Sequence, residues 1–85
     1  MIPYDFTKHA AKAFLKLPPN TQKKIISKLE YYLSSANPLA FAKRLTGIVQ
    51  PVFRFRVDDY RVIFDWHEDN ILILKVGHRS EIYRD

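Results

Sequence analysis

The chain has 85 residues, no cysteine and a formal charge of +5, from 14 basic side chains against nine acidic ones. Its length allows one domain, residues 1–85, with a modest core that buries roughly 60% of the unfolded surface. Lack of cysteine excludes disulfides, thiolate metal sites and a cysteine nucleophile. No apolar run reaches the roughly 20 residues of a membrane span, and Met1-Ile2-Pro3-Tyr4-Asp5 lacks the parts of a signal peptide, so a soluble cytoplasmic protein is expected.

Ile2 to Phe6 reads as a short strand. Thr7 is the expected N-cap of a helix through Leu17, whose apolar positions Phe6, Ala10, Phe14 and Leu17 recur at helical spacing. Pro18-Pro19 ends it. A second helix is expected from Pro19 or Asn20 to Ser35, with Ile25, Ile26, Leu29, Tyr32, Leu33 and Ala36 as its apolar stripe. Ser34-Ser35-Ala36-Asn37-Pro38 stops that helix, Leu39 to Leu45 reads as a further helical turn, and Gly47 opens a loop.

The period then changes to two. Phe53, Phe55 and Val57 face one way, with Arg54 and Arg56 opposite. Asp58-Asp59 forms a two-residue turn, because aspartate visits the left-handed region more easily than most residues. In the next strand Tyr60, Val62, Phe64 and Trp66 face inward, and Arg61, Ile63 and Asp65 outward. After a polar turn at His67-Glu68-Asp69, the last strand is expected to put Leu72, Leu74 and Val76 inward and Ile71, Ile73 and Lys75 outward, until Gly77 breaks the run. The result is an α+β fold in which two N-terminal helices pack on one face of a small, mainly antiparallel sheet, in the order β-α-α-β-β-β.

Charge is unevenly distributed. Residues 1–42 carry six lysines against Asp5 and Glu30, whereas residues 43–85 carry every arginine of the chain. Lysine is a mobile point charge, while arginine offers a planar fork that matches phosphate. A turn at Asp58-Asp59 pairs Arg56 with Arg61. If Trp66 pairs near Asn70, Lys75 stands beside Arg61, which makes a row of Arg56, Arg61 and Lys75 with Arg54 one step along. Like charges directly opposite each other destabilise a sheet, so such a row points to an anionic ligand. Solvated side chains, or pairing with Asp58, Asp59 and Asp65, would be the plain structural alternative. His78, Arg79 and Tyr83 follow at once, and supply groups able to stabilise a phosphorane and to move protons without a metal. The three histidines are too scattered to suggest a metal site.

Tyr60-Arg61-Val62-Ile63-Phe64, then Val76-Gly77-His78-Arg79, then Ile82-Tyr83, resembles the RelE/ParE superfamily of toxins, the RelE branch in particular. Leu45-Thr46-Gly47 and Lys16-Leu17-Pro18 agree upstream. The resemblance implies the toxin of a type II toxin–antitoxin system. Such a toxin is a metal-independent, cofactor-free endoribonuclease that cuts mRNA in the ribosomal A site by attack of the 2′-hydroxyl on the adjacent phosphate. It also implies a RelB-like antitoxin, contact with ribosomal RNA and a possible hetero-oligomer. Arg61 then matches the arginine at the scissile phosphate, Arg79 the arginine that stabilises the transition state, and Tyr83 the tyrosine that stacks on the message. Arg54 and Arg56 stand where the best-known branch has two lysines, one of them the presumed base. Arginine stays protonated and is a poor base, so either these residues and Lys75 only hold RNA, or the base lies elsewhere, with His78 as the obvious stand-in and Glu81 a weaker one. The alternatives are a ParE-type inhibitor of DNA gyrase without nuclease chemistry, and an inactive toxin kept as a co-repressor.

Overall fold

The computed structural model describes residues 1–45 and 52–82. Strand β1, Tyr4–Phe6, leads into helix α1, Lys8–Leu15. Thr7 is the N-cap, with extended backbone and its Oγ1 accepting from the Ala10 N–H at 3.0 Å, which satisfies one of the orphan donors of the first turn. At the other end Gln22 Nε2 donates to the Leu17 carbonyl at 2.9 Å, just past the helix, and so ties α1 to α2. Helix α2, Pro19–Leu33, starts on a proline, whose missing N–H costs nothing in a first turn. It buries Ile25, Leu29 and Leu33, one residue per turn along one face.

Strands β2 (Ala42–Leu45), β3 (Val52–Val57), β4 (Tyr60–His67) and β5 (Asn70–His78) complete a five-stranded sheet of order β1-β5-β4-β3-β2. All neighbours are antiparallel except β1, which runs parallel to β5. Both helices cover one face. Their core joins Ala10, Ile25, Leu29 and Leu33 to Phe55, Val57, Val62, Phe64, Ile71, Ile73 and Val76.

Four expectations change. The helical turn expected over Leu39 to Leu45 is a short 3-10 turn, Pro38–Phe41, followed by edge strand β2. Lys43 therefore faces Arg54 across the β2–β3 ladder. The expected register holds in the β3–β4 hairpin, where Arg56 pairs with Arg61, but not in the β4–β5 hairpin. There Trp66 pairs with Ile71, and a bulge falls between Ile63↔Lys75 and Phe64↔Ile73. The two-residue turn at Glu68-Asp69 sets the first half of β5 one residue from the expected register, so Ile71 and Ile73 are buried in the core while Leu72 is 40% exposed, and the extra residue restores the inward facing of Val76. Lys75 lies opposite Ile63, and Gly77 takes the place beside Arg61. Finally, Gly77 does not break the strand, which continues to His78.

The outer face has its own small core of Val52, Ile63 and Ile82, with Leu45 and Leu74 against it. Ile82 arrives there because the chain after β5 curls, with the N–H groups of Glu81 and Ile82 both donating to the His78 carbonyl. Its Cδ1 lies 3.4 Å from where a Cβ on Gly77 would stand. The expected loop at Gly47 and the side chain of Tyr83 lie outside the described residues.

Candidate active site

The β3–β4 turn and the end of β5 meet at one end of the sheet. Asp58 opens the turn with φ 53°, which a short polar side chain tolerates. The turn is bonded to three parts of the molecule. Arg79 N–H donates to the Asp59 carbonyl at 2.7 Å, binding the chain after β5 to the turn. Lys24 of α2 makes an ion pair with the Asp58 carboxylate. That hydrogen bond and the attached charge lower the Asp58 pKa and raise that of Lys24. Both side chains are well exposed, so the pair is screened by solvent.

Arg61 makes the third connection. Among the described residues it is the buried charged side chain, 6% exposed. Its Nη1 donates to the carbonyls of Asp58 at 2.8 Å and Tyr60 at 2.9 Å. A guanidinium has five N–H donors, so this anchoring uses one nitrogen and leaves the other two for the cleft that Arg61 lines.

That cleft is formed by Arg54, Arg61, His78, Arg79 and Ser80. Arg79 is 62% exposed, and its Nε stands 3.5 Å from the Asp59 carboxylate. An exposed pair of that length is weak, and a phosphate offering two oxygens to the fork is a stronger partner. His78 pairs with Tyr60 across the ladder and stands edge-on to its ring, with centroids 5.5 Å apart. The Ser80 N–H donates to His78 Nδ1 at 3.1 Å, with Ser80 Oγ 2.8 Å from the same atom. An amide can only donate, so Nδ1 carries a lone pair and the neutral ring holds its proton on Nε2. In this tautomer His78 presents a donor, not a base, at its second nitrogen.

Of the expected site residues, the structure brings Arg54, Arg61, His78 and Arg79 together. Arg56 is exposed and is the cross-strand partner of Arg61. The bulge moves Lys75 out of the arginine row, to the far side of Ile63. Ser80 joins the site unannounced, and Lys43 stands opposite Arg54 on the neighbouring strand. Ser80 is invisible without its contact to the imidazole, and Lys43 could be found only once strand β2 was known. Among the described residues no cluster of three or more histidine or carboxylate ligands exists, and no helix is long and apolar enough to cross a membrane.

A strand, two helices and a four-strand antiparallel meander, with a basic cleft where the last strand ends, make a small α+β domain. The family model for the ParE toxin of type II toxin–antitoxin systems matches residues 4–83, and the chain belongs to that family, within the RelE/ParE superfamily. Its fold is similar to a chain of the RelBE2 toxin–antitoxin complex of Mycobacterium tuberculosis, with a TM-score of 0.80, 28% identity, and coverage of 92% of this chain and 98% of that one. It is also similar to a chain of the archaeal RelE–RelB complex of Pyrococcus horikoshii, with a TM-score of 0.71, 26% identity, and coverage of 95% and 99%. The RelBE complex of E. coli shares the fold at 21% identity, with a TM-score of 0.75 and coverage of 92% and 96%. No functionally curated protein matches the chain at a significant level.

Proposed function

We propose that this toxin is a cytoplasmic, metal-independent endoribonuclease that cuts mRNA on the ribosome and is held inactive by a RelB-like antitoxin, with residues 1–85 acting as one domain. The observation that carries the reading is the cleft itself, with three arginines and a histidine of defined tautomer at one place. Arg61 binds the scissile phosphate, with Arg54, Arg56 and Lys75 in supporting contact with the RNA, and Tyr83 stacks on the message. The 2′-oxygen attacks phosphorus, the bond from phosphorus to the 5′-oxygen breaks, and a cyclic phosphate and a free 5′-hydroxyl result. Arg79 stabilises the charge that builds on the phosphorane oxygens. The 2′-hydroxyl proton passes to water. On protonation His78 gives up the bond from the Ser80 N–H, donates from Nδ1 to Ser80 Oγ, and protonates the leaving 5′-oxygen from Nε2. The antitoxin is expected because the similar structures are themselves antitoxin–toxin complexes.

The test is a translating extract. The protein should cleave message within codons, and Arg79→Ala should lower the rate by about 10²–10³-fold, the effect of removing one transition-state donor. Intact message in the presence of folded protein would overturn the reading. A second reading, inhibition of DNA gyrase by protein contact, is favoured by the family match. It predicts loss of supercoiling activity that Arg79→Ala leaves unchanged.

A further inference from the structure

The outer sheet face carries two like-charged cross-strand pairs, Lys43 opposite Arg54 and Arg56 opposite Arg61. Directly opposed side chains have Cβ atoms about 5 Å apart, and like charges there cost stability. The pairs share strand β3 and lie two residues apart along it, a step of about 6.8 Å in an antiparallel strand. The side chains of Lys43, Arg54, Arg56 and Arg61 therefore form two cationic rungs on one surface. Facing is independently established, since Leu45, two residues from Lys43, packs in the outer cluster with Val52 and Ile63. Arg61 of the second rung and Arg54 of the first both line the cleft with Arg79, and Lys43 lies beyond Arg54 on the edge strand, where it is exposed.

We propose that Lys43 is a substrate-binding residue, and that with Arg54 it holds the phosphate next to the scissile one. This assignment rests on the nuclease reading and adds the direction of the strand: the nucleic acid leaves the cleft across β3 towards β2. The step between rungs is suited to successive phosphates of an extended single strand. One phosphate per rung turns each repulsive pair into a charge-assisted clamp. Lys43 acts on binding and not on chemistry, because it lies a rung away from Arg61 and Arg79.

The test uses purified toxin and 2′-deoxy oligonucleotides, which lack the attacking hydroxyl and are not cut. Lys43→Ala should weaken binding of a pentanucleotide several-fold and lower the slope of log affinity against log salt by about 0.7, one single-strand phosphate contact. On a dinucleotide with a single phosphate it should match the parent. In cleavage assays KM should rise while kcat stays. A lysine on an edge strand also blocks edge-to-edge association. That role alone predicts a change in aggregation with equal binding at both lengths, which would overturn the assignment, as would an equal loss on the dinucleotide. If the folded parent protein leaves message intact in the translating extract, the nuclease reading falls, and this one with it. If Arg79→Ala weakens binding and Lys43→Ala does not, only the role of Lys43 falls.

Discussion

The two hairpins that share β4 look alike in sequence and differ in construction. Each has a two-residue turn that opens on a residue of positive φ, 53° at Asp58 and 55° at Glu68. In the first hairpin apolar and charged residues alternate, so a slip of one residue would bury Arg54 and Arg56, and the register is held. In the second, Ile71-Leu72-Ile73-Leu74 is apolar at every position. Either face would be acceptable, and the turn at Glu68-Asp69 chooses. The lesson is that alternation specifies register only where the two faces differ in polarity. The cleft draws on both hairpins, with Arg54 and Arg61 from the first and His78 from the end of the second, while Ile82 covers Val52 and Ile63 on the same outer face.

The largest expected effect breaks the apparent equivalence of neighbours in β5. Ile73→Ala should cost about 2–5 kcal/mol in urea unfolding, because the residue is fully buried in the main core. Leu72→Ala, at a position 40% exposed, should stay within about 0.5 kcal/mol. Equal costs would mean that β5 does not hold this register against β4 in solution.

A smaller effect tests the seal on the outer face. Gly77→Ala places a Cβ in ordinary contact with Ile82 and should be nearly neutral, whereas Gly77→Val should cost about 1–3 kcal/mol by overpacking. Because the Ile82 N–H is bonded to the His78 carbonyl, next to Arg79, the valine variant should also weaken oligonucleotide binding. Thermal unfolding and the binding assay together decide it.

The smallest effect compares the turns. Glu68→Gly relieves a left-handed glutamate and should stabilise the protein by about 0.5–1 kcal/mol. Asp58→Gly should gain less, because the ion pair with Lys24 is lost with the side chain. The pair also has a pH signature. Asp58 titrates below its ordinary value in the fold, so its contribution is present above the usual carboxylate pKa and disappears as pH falls through the lowered folded one. Lys24 titrates above its ordinary value, so its contribution is present below the usual lysine pKa and disappears as pH rises through the raised folded one. Urea midpoints followed into acid should show a shallower decline for Lys24→Met than for the parent.

Both helices, the Thr7 cap, the first hairpin and the pairing of Arg56 with Arg61 were legible in the residues, because periodicity, capping chemistry and a two-residue turn are local signals. Arg54, Arg61, His78 and Arg79 were legible as a group for the same reason, with the family resemblance adding their roles. Strand β2 was not, since Ala42-Lys43-Arg44-Leu45 is too short and mixed to show a period, and becomes a strand only by pairing with β3.

Sequence alone thus determined the two helices and the longer strands, which helix faces are buried and which residue types gather near the end of the last strand. Tertiary structure decided what those residues face. The β5 bulge removed Lys75 from the arginine row and put Gly77 beside Arg61, the β3–β4 turn anchored Arg61 and Arg79 through its own carbonyls, and pairing of β2 brought Lys43 to Arg54. The physical reason is the range of the interactions. Capping, turn preference and amphipathic period act within a few residues, whereas strand pairing and bulges are chosen by the packing of segments far apart in the chain.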